Sequence, residues 1–376
     1  MTKPHLSFHE SQPAQATGLL AWLHIDLPLL SALLMLVGIG LSILYSAGDK
    51  EMVLLHKQLI RLGFGFAAMI ILAQIHPANF RRWSPWIYTL GIVMLLSVIL
   101  FGELGKGAQR WLDLGFVRFQ PSEMFKLTLP MVIAWYLAEQ RLPPAPSRLV
   151  VALLFTLIPV LLIAKQPDLG TALLVGTGGA FALFLAGISW RLIAIAGAVM
   201  AALGPVAWYL MHEYQRQRVL TFLNPESDPL GTGYHIIQSK IAIGSGGISG
   251  KGWLNGTQSH LEFLPERHTD FIFAVISEEF GLVGVIALLT LYLFIIMRGL
   301  YIASQAQDTF GRILAGSLSL IFFVYLFVNA GMVTGLLPVV GVPLPLISYG
   351  GTSLVTILAS FGMLMSIHTH KKLLPT

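Results

Sequence analysis

Cysteine is absent from the 376 residues, and charge is scarce: Asp, Glu, Lys and Arg make up 11% of the chain against 55% hydrophobic residues. The first absence excludes disulfide frameworks, thiolate metal sites and thiol redox chemistry. The second leaves too few polar side chains to cover a soluble surface. Nucleotide motifs are missing as well. Gly250-Lys251 resembles the end of a phosphate-binding loop, but that motif needs glycine at 245 and Ser or Thr at 252, where the chain carries Ser245 and Gly252. There is no G-x-S-x-G elbow and no H-E-x-x-H helix, so neither serine-hydrolase nor zinc-protease chemistry is expected. No nucleotide or organic cofactor is expected either.

What the chain does have is apolar length. Its mean hydropathy is +0.76, and apolar runs cover 27–47, 53–75, 83–101, 121–139, 149–164, 169–187, 191–212, 270–297, 313–337 and 346–367. Each run is compatible with a hydrocarbon core about 30 Å thick, so the fold class is all-α and polytopic, with about ten transmembrane helices. Residues 1–26 are polar or weakly apolar and contain two acids. No cleaved leader is read there, and the first span serves as its own insertion signal. The net charge of +5 does not point to nucleic acid, because the basic residues are scattered between apolar spans and form no stripe with aromatics.

Orientation follows from Lys and Arg in the short loops. With the N-terminus inside, the inner loops hold Arg81 and Arg82, then Arg141 and Arg148, Arg191, Arg298 and Arg312, and finally Lys371 and Lys372. The expected organisation is one membrane domain over 1–376, with a cytoplasmic N-terminus at 1–26, a large periplasmic loop at 213–268 and a cytoplasmic tail at 368–376. Within the loop, His235 to Ile243 is read as a short amphipathic helix and Gly244 to Gly252 as a mobile, glycine-rich hinge or a set of backbone amides near an anion. A Pro/Gly cluster at 337–345 marks broken helix, which at membrane depth must be buried in protein or line a cavity.

Chemistry is expected where charge concentrates. Glu262, Glu266, Arg267, His268 and Asp270 place five ionisable groups within nine residues, at the start of the eighth apolar run. Thr269 is a candidate cap and Asp270 is placed in the first turns of that helix, at the outer membrane face. An acid there complements the helix dipole, but an ionisable group at membrane depth more often faces a functional cavity. Glu278, eight residues on, would share its face, with Glu278 and Glu279 about 12 Å deeper. The alternation of His260, Glu262, Glu266, His268 and Asp270 suggests a metal set on an extended segment, although no motif supports a dedicated cage. Glu266 and Asp270 are candidates for a substrate-bound divalent cation, Mg²⁺ or Mn²⁺. A second outer segment carries Arg110, Trp111, Gln120, Ser122, Glu123 and Lys126, with Glu123 and Lys126 spaced for an i, i+3 pair that lines a cavity. Trp111 is equally readable as an interfacial aromatic.

Gly107-Ala108-Gln109-Arg110-Trp111, Gln120-Pro121-Ser122-Glu123, Gln166-Pro167-Asp168-Leu169-Gly170-Thr171, Pro265-Glu266-Arg267-His268-Thr269-Asp270-Phe271 and Pro343-Leu344-Pro345-Leu346-Ile347-Ser348-Tyr349-Gly350-Gly351 occur in this order along the chain. Together they closely resemble the SEDS family (shape, elongation, division and sporulation), and most of all its elongation-type members. The resemblance implies a ten-helix peptidoglycan glycosyltransferase of the bacterial inner membrane. It would polymerise lipid II at the periplasmic face, beside a class B penicillin-binding protein and other membrane proteins of the elongation complex. It also implies that Asp270 is the catalytic aspartate, that Glu123 and Lys126 are the family's buried pair, and that Trp111 is the tryptophan after Gln-Arg.

The residues are consistent with that chemistry. Attack by a sugar 4-hydroxyl on an anomeric carbon bearing undecaprenyl pyrophosphate needs a base, here Asp270, and positive charge at the departing phosphates. Arg110, Lys126, Lys240, Lys251 and Arg267 are the candidates for that charge, and Gln120, Ser122, Glu266 and His268 for further cavity lining. Two rival readings remain, a lipid II flippase and a non-catalytic scaffold. The outward bias of the ionisable residues and the lack of inverted repeats favour an enzyme over a flippase, and a scaffold leaves the outer cluster unexplained.

Overall fold

The computed structural model describes residues 23–105, 108–113, 118–139, 142–211, 213–227, 232–260 and 266–370. A helix lies over each of the apolar runs: α1 (Leu27–Ala47), α2 (Met52–Gln74), α3 (Pro77–Phe101), α4 (Pro121–Ala138), α5 (Pro146–Lys165), α6 (Leu169–Leu185), α7 (Trp190–Leu210), α11 (Ile272–Ser304), α12 (Thr309–Val333) and α13 (Thr352–Thr369). Among the described residues, seven of these, α1, α2, α3, α5, α11, α12 and α13, are long and apolar enough to cross a membrane by length and composition. The segment between α7 and α11 adds α8 (Glu213–Leu223), a 3₁₀ turn (Pro225–Ser227), α9 (Thr232–Gly246) and α10 (Thr257–His260). The fold is therefore a polytopic helical membrane protein.

Local chemistry sets the helix ends. Pro lies at the first turn of α1, α3, α4 and α5, where its missing N–H is harmless. Asp26, Asp168 and Asp308 accept backbone N–H bonds from Leu29, Thr171 and Gly311, capping α1, α6 and α12. Because α3 starts at Pro77, Arg81 and Arg82 belong to its first turns and not to a loop, and Arg81 pairs with Glu139 at 2.9 Å. One element was not foreseen by the all-helical reading. Glu103–Gly105 (β1), Ala108–Asp113 (β2) and Arg118–Phe119 (β3) form a small antiparallel ribbon between α3 and α4. The apolar-length criterion cannot see strands this short.

The core centres on α4 and α12. In α12, residues from Phe310 through Val333 are buried on most of the helix circumference, and α11, α6, α4 and α13 pack around it. The outer helices turn apolar side chains away from the protein, as a lipid solvent permits: Phe101 is 79% exposed and Trp190 75%.

Helix α11 is broken. Gly281 takes φ 62° and ψ −161°, which splits off a short first piece. A break buried in a membrane protein must re-satisfy its freed backbone groups, and the glycine-rich run does so. Lys251 and Gly252 donate to the carbonyls of Glu278 and Glu279 (3.0 and 2.9 Å), while Leu282 and Val283 donate to those of Gly247 and Ile248 (3.0 and 3.1 Å). A Cβ on Gly250 or Gly281 would overlap the facing backbone. The run 244–252 is thus a backbone-to-backbone splint and not the mobile hinge the glycine content suggested. The expected helix within the loop does form, as α9.

At one end of the bundle, His370 stacks on His24 (ring centroids 3.9 Å) and meets His76 edge-on (5.3 Å). Beside them Asp26 takes a bidentate pair from Arg298 (2.6 and 3.1 Å) and lies 3.3 Å from His368. Burial, then the neighbouring His24 and His76, hold the His370 imidazole below its ordinary value of 6.5, opposed by its bond to the Ser366 carbonyl. The folded state resists the proton that the unfolded chain accepts near pH 6.5, so the group is neutral to stability above that pH and opposes folding as pH falls toward the folded value. The melting temperature in detergent is expected to drop on acidification below about pH 6.5, and His370→Gln to flatten that drop.

Candidate active site

Asp270 lies in the turn 266–270, ahead of α11, whose N-cap is Phe271. The aspartate is thus just outside the helix, not in its first turns. Thr269 does not cap α11; its hydroxyl is turned back to the Glu266 carbonyl (3.1 Å) and Glu266 Oε2 (2.9 Å). Since 266–270 is a tight turn with Glu266 at φ 51°, alternating residues do not line one face, and the extended metal arrangement fails here. Glu262 lies outside the described residues. Among the described residues no three His, Asp or Glu converge as a metal cage.

The turn is enclosed by the irregular segment between α12 and α13. The backbone of Gly341 lies against the Asp270 carboxylate, with Oδ2 3.4 Å from where a Cβ would stand. Asn329 of α12, fully buried, donates to the Asp270 carbonyl (2.9 Å) and the Val342 carbonyl (2.8 Å). Ser348 donates to the Thr269 carbonyl, and Tyr349 N–H to that of His268 (2.8 Å). The His268 ring sits edge-on to Tyr349 at 6.0 Å, and Tyr349 carries Arg61 over its face at 4.3 Å. Arg267 pairs with Asp49 in the turn between α1 and α2.

On the other side of the same segment, a Cβ on Gly170 would stand 2.8 Å from the Val340 carbonyl, so the start of α6 packs directly against it. Asp168 there accepts from Gln120 (2.9 Å) and faces Arg110 at 3.9 Å, while Arg110 also donates to the Pro167 carbonyl. Trp111, half-buried in β2, is opposite Glu103 of β1. Arg110 and Gln120, residues 166–171, 266–271 and 343–351 therefore meet around one irregular segment, a juxtaposition no local pattern reveals.

Glu123 and Lys126 form the expected pair at 2.5 Å, each side chain 6% exposed. Thr356 of α13 reaches Glu123 at 3.3 Å, and Lys126 lies 4.8 Å over the Tyr325 ring of α12. Ser122 is buried, and its hydroxyl has no hydrogen-bond partner among the described residues. Lys251 is bonded to Glu278 (2.7 Å), which also accepts from Thr257 and the Gln258 N–H. Glu278 thereby anchors the glycine splint, and it does not share a face with Asp270, which is outside the helix. Ser46 donates to Glu279. Lys240, on α9, lies over Gly335, and among the described residues it makes no ion pair. Between α9, α11 and α12 opens a groove of about 770 Å³ whose walls include Ile243, Phe273, Val285, Phe327 and Leu337, with Ser277 and Thr334 as its few polar members.

A family model described as cell cycle protein and covering FtsW, RodA and SpoVE matches residues 19–373. The chain belongs to this SEDS family. The peptidoglycan glycosyltransferase MrdB of Escherichia coli K12, a RodA-type member, is 55% identical over 93% of this chain and 95% of its own. A probable peptidoglycan glycosyltransferase FtsW of Trichlorobacter lovleyi is 38% identical over 93% and 94%. A solved chain from a study of the structural coordination of polymerization and crosslinking by a peptidoglycan synthase complex superposes with a TM-score of 0.80 at 32% identity, covering 92% of this chain and 99% of that one. The rod shape determining protein RodA of Thermus thermophilus matches with a TM-score of 0.70 at 28% identity, over 93% and 99%.

Proposed function

We propose that the Asp270 turn is the polymerising site of this peptidoglycan glycosyltransferase, extending glycan strands from lipid II during cell elongation. The observation that carries the reading is the position of the Asp270 carboxylate at the segment where the separate motifs meet. In the reaction, Asp270 takes the proton of the acceptor sugar 4-hydroxyl as that oxygen bonds to the donor's anomeric carbon, and the anomeric C–O bond breaks with its electrons leaving on undecaprenyl pyrophosphate. A phosphate leaving group of this kind needs no acid partner, unlike the leaving alcohol of a glycosidase.

Positive charge stabilises the departing phosphates. Lys126, Lys251 and Arg267 each have an acid partner, and Arg110 faces Asp168. Lys240 is therefore ranked first for the pyrophosphate, with Arg110 second. A divalent cation reaches the site bound to the substrate phosphates. The apolar groove beside α9 and α11 suits a polyprenyl tail, its walls Phe273 and Leu337 lying close in sequence to Asp270 and Gly341.

The finer topology belongs to the same proposal: one domain crossing the bacterial inner membrane ten times, both termini cytoplasmic, residues 213–268 and the site facing the periplasm, and a class B penicillin-binding protein alongside to crosslink the product. The test is gel analysis of fluorescent lipid II with the purified chain, with and without that partner. Polymer ladders are expected, fainter with EDTA and restored by Mg²⁺ or Mn²⁺. Lipid II crossing the bilayer of vesicles without any polymer would replace the enzyme reading by a flippase.

A further inference from the structure

The carbonyls of His268, Thr269 and Asp270 precede α11 and have no partner in its ladder, whose first turn closes from Ala274 N–H onto the Phe271 carbonyl (2.9 Å). All three are taken by groups from the opposite side of the site: Tyr349 N–H (2.8 Å), the Ser348 hydroxyl (2.5 Å) and the Asn329 amide (2.9 Å). Asn329 goes further than the others. Its second N–H is donated to the Val342 carbonyl (2.8 Å), next to the Gly341 backbone that borders the Asp270 carboxylate. One planar, uncharged NH₂ group thus ties the backbone of the carboxylate-bearing residue to the wall it faces. The orientation of the amide follows from chemistry, because two carbonyls can be met only by its nitrogen. The buried Ser317 and Ser319 of α12 bond carbonyls of their own helix, whereas Asn329, 0% exposed, sends both its donors out of α12, and a buried amide of this kind is costly to place in a membrane helix without a purpose.

We propose that Asn329 is a positioning residue for the glycosyl transfer, holding Asp270 at fixed distance from the substrate through its main-chain carbonyl and not through its carboxylate. This rests on Asp270 being the base. Displacement of a catalytic group by about 1 Å lowers turnover by roughly 100-fold, and substrate affinity, set by the lipid groove and the cations, is left alone.

Asn329→Asp is the diagnostic variant, since it keeps the shape and removes both donors. In the lipid II assay with the full-length chain, kcat at about pH 8 is expected to fall by roughly 100-fold with KM within about threefold of the parent. The introduced carboxyl, buried between two carbonyls, takes up a proton more readily than a surface acid and then donates one of the lost bonds. The ratio of variant to parent kcat is therefore expected to rise by about tenfold toward pH 6. A merely structural role would leave that ratio flat. A flat ratio, a parental kcat at about pH 8, or a loss confined to KM overturns the proposal. If the variant does not fold, Ser348→Ala, which releases the Thr269 carbonyl together with the Leu344 N–H that the same hydroxyl accepts (2.8 Å), is expected to lower kcat about fivefold at unchanged KM, and an unchanged kcat counts against the clamp. Asp270→Asn is run in parallel. If it turns over normally the base reading falls and takes this proposal with it; if it is inactive while Asn329→Asp is normal, only the positioning role is lost.

Discussion

Asp270→Ala, purified as the full chain, is expected to give no glycan ladder from lipid II while binding the lipid as the parent does. A positioned base contributes about 100- to 10,000-fold to proton transfer, and no described neighbour replaces it: Glu266 is bonded to Thr269, and His268 is set edge-on to Tyr349. Folding is expected to survive, because the three clamp bonds reach main-chain carbonyls, which alanine and asparagine supply equally. Asp270→Asn keeps the size of the side chain and removes the basic oxygen, so it should match Asp270→Ala in the gel. Strands of parental length from either variant would sink the assignment. Loss of lipid binding together with polymer would move Asp270 from proton transfer to substrate capture.

Lys126→Met is expected to have the next largest effect, this time on the protein itself. The Glu123–Lys126 pair is 2.5 Å apart and 6% exposed on each side chain, so removing the ammonium leaves a carboxylate in the bundle whose remaining side-chain hydrogen-bond partner among the described residues is Thr356, at 3.3 Å. Breaking a buried pair in this way costs about 3 to 5 kcal/mol, whereas replacing both partners by uncharged groups of similar shape is often close to neutral. The double variant Glu123→Gln/Lys126→Met is therefore expected to recover most of the melting temperature that Lys126→Met loses. Polymerisation by the refolded double variant separates the two readings of the pair. Activity near the parent's would make the pair a packing device; inactivity in a stable protein would make it part of the reaction cavity. A double variant as unstable as Lys126→Met would contradict the uncompensated-charge account.

Much of this architecture is legible without coordinates. The apolar runs mark where the helices lie, and the structure then sets their ends by capping, with Asp26, Asp168 and Asp308 at helix starts and proline in the first turn of four helices. The i, i+3 spacing of Glu123 and Lys126 is enough to foresee their contact. Other features misled. The glycines of 244–252 indicate flexibility by composition, yet they serve close backbone approach to a helix broken at Gly281, and sequence alone cannot distinguish a flexible glycine from a crowded one. Thr269 looks like a cap for α11, but helical backbone begins only at Ile272, so the N-cap is Phe271 and the Thr269 hydroxyl turns back to Glu266. Sequence also hides the acid partners of Lys251 and Arg267, Glu278 and Asp49, which are 27 and 218 residues distant. Asn329 was missed altogether, although a lone asparagine within the apolar run 313–337 was a readable signal.

Hydropathy and charge asymmetry are sums over neighbouring residues, which is why the chain by itself determined a helical membrane protein, the approximate positions of its helices, and the family whose motifs it carries. Which side chains meet is a different kind of quantity, set by packing between segments hundreds of residues apart. Only the tertiary structure decided that the irregular segment between α12 and α13 gathers the motifs around Asp270, that the glycine run repairs the break in α11, and that Lys240 has no acid partner among the described residues. In a lipid solvent every buried backbone group must find a partner within the protein, and the search for those partners is what brought these segments together.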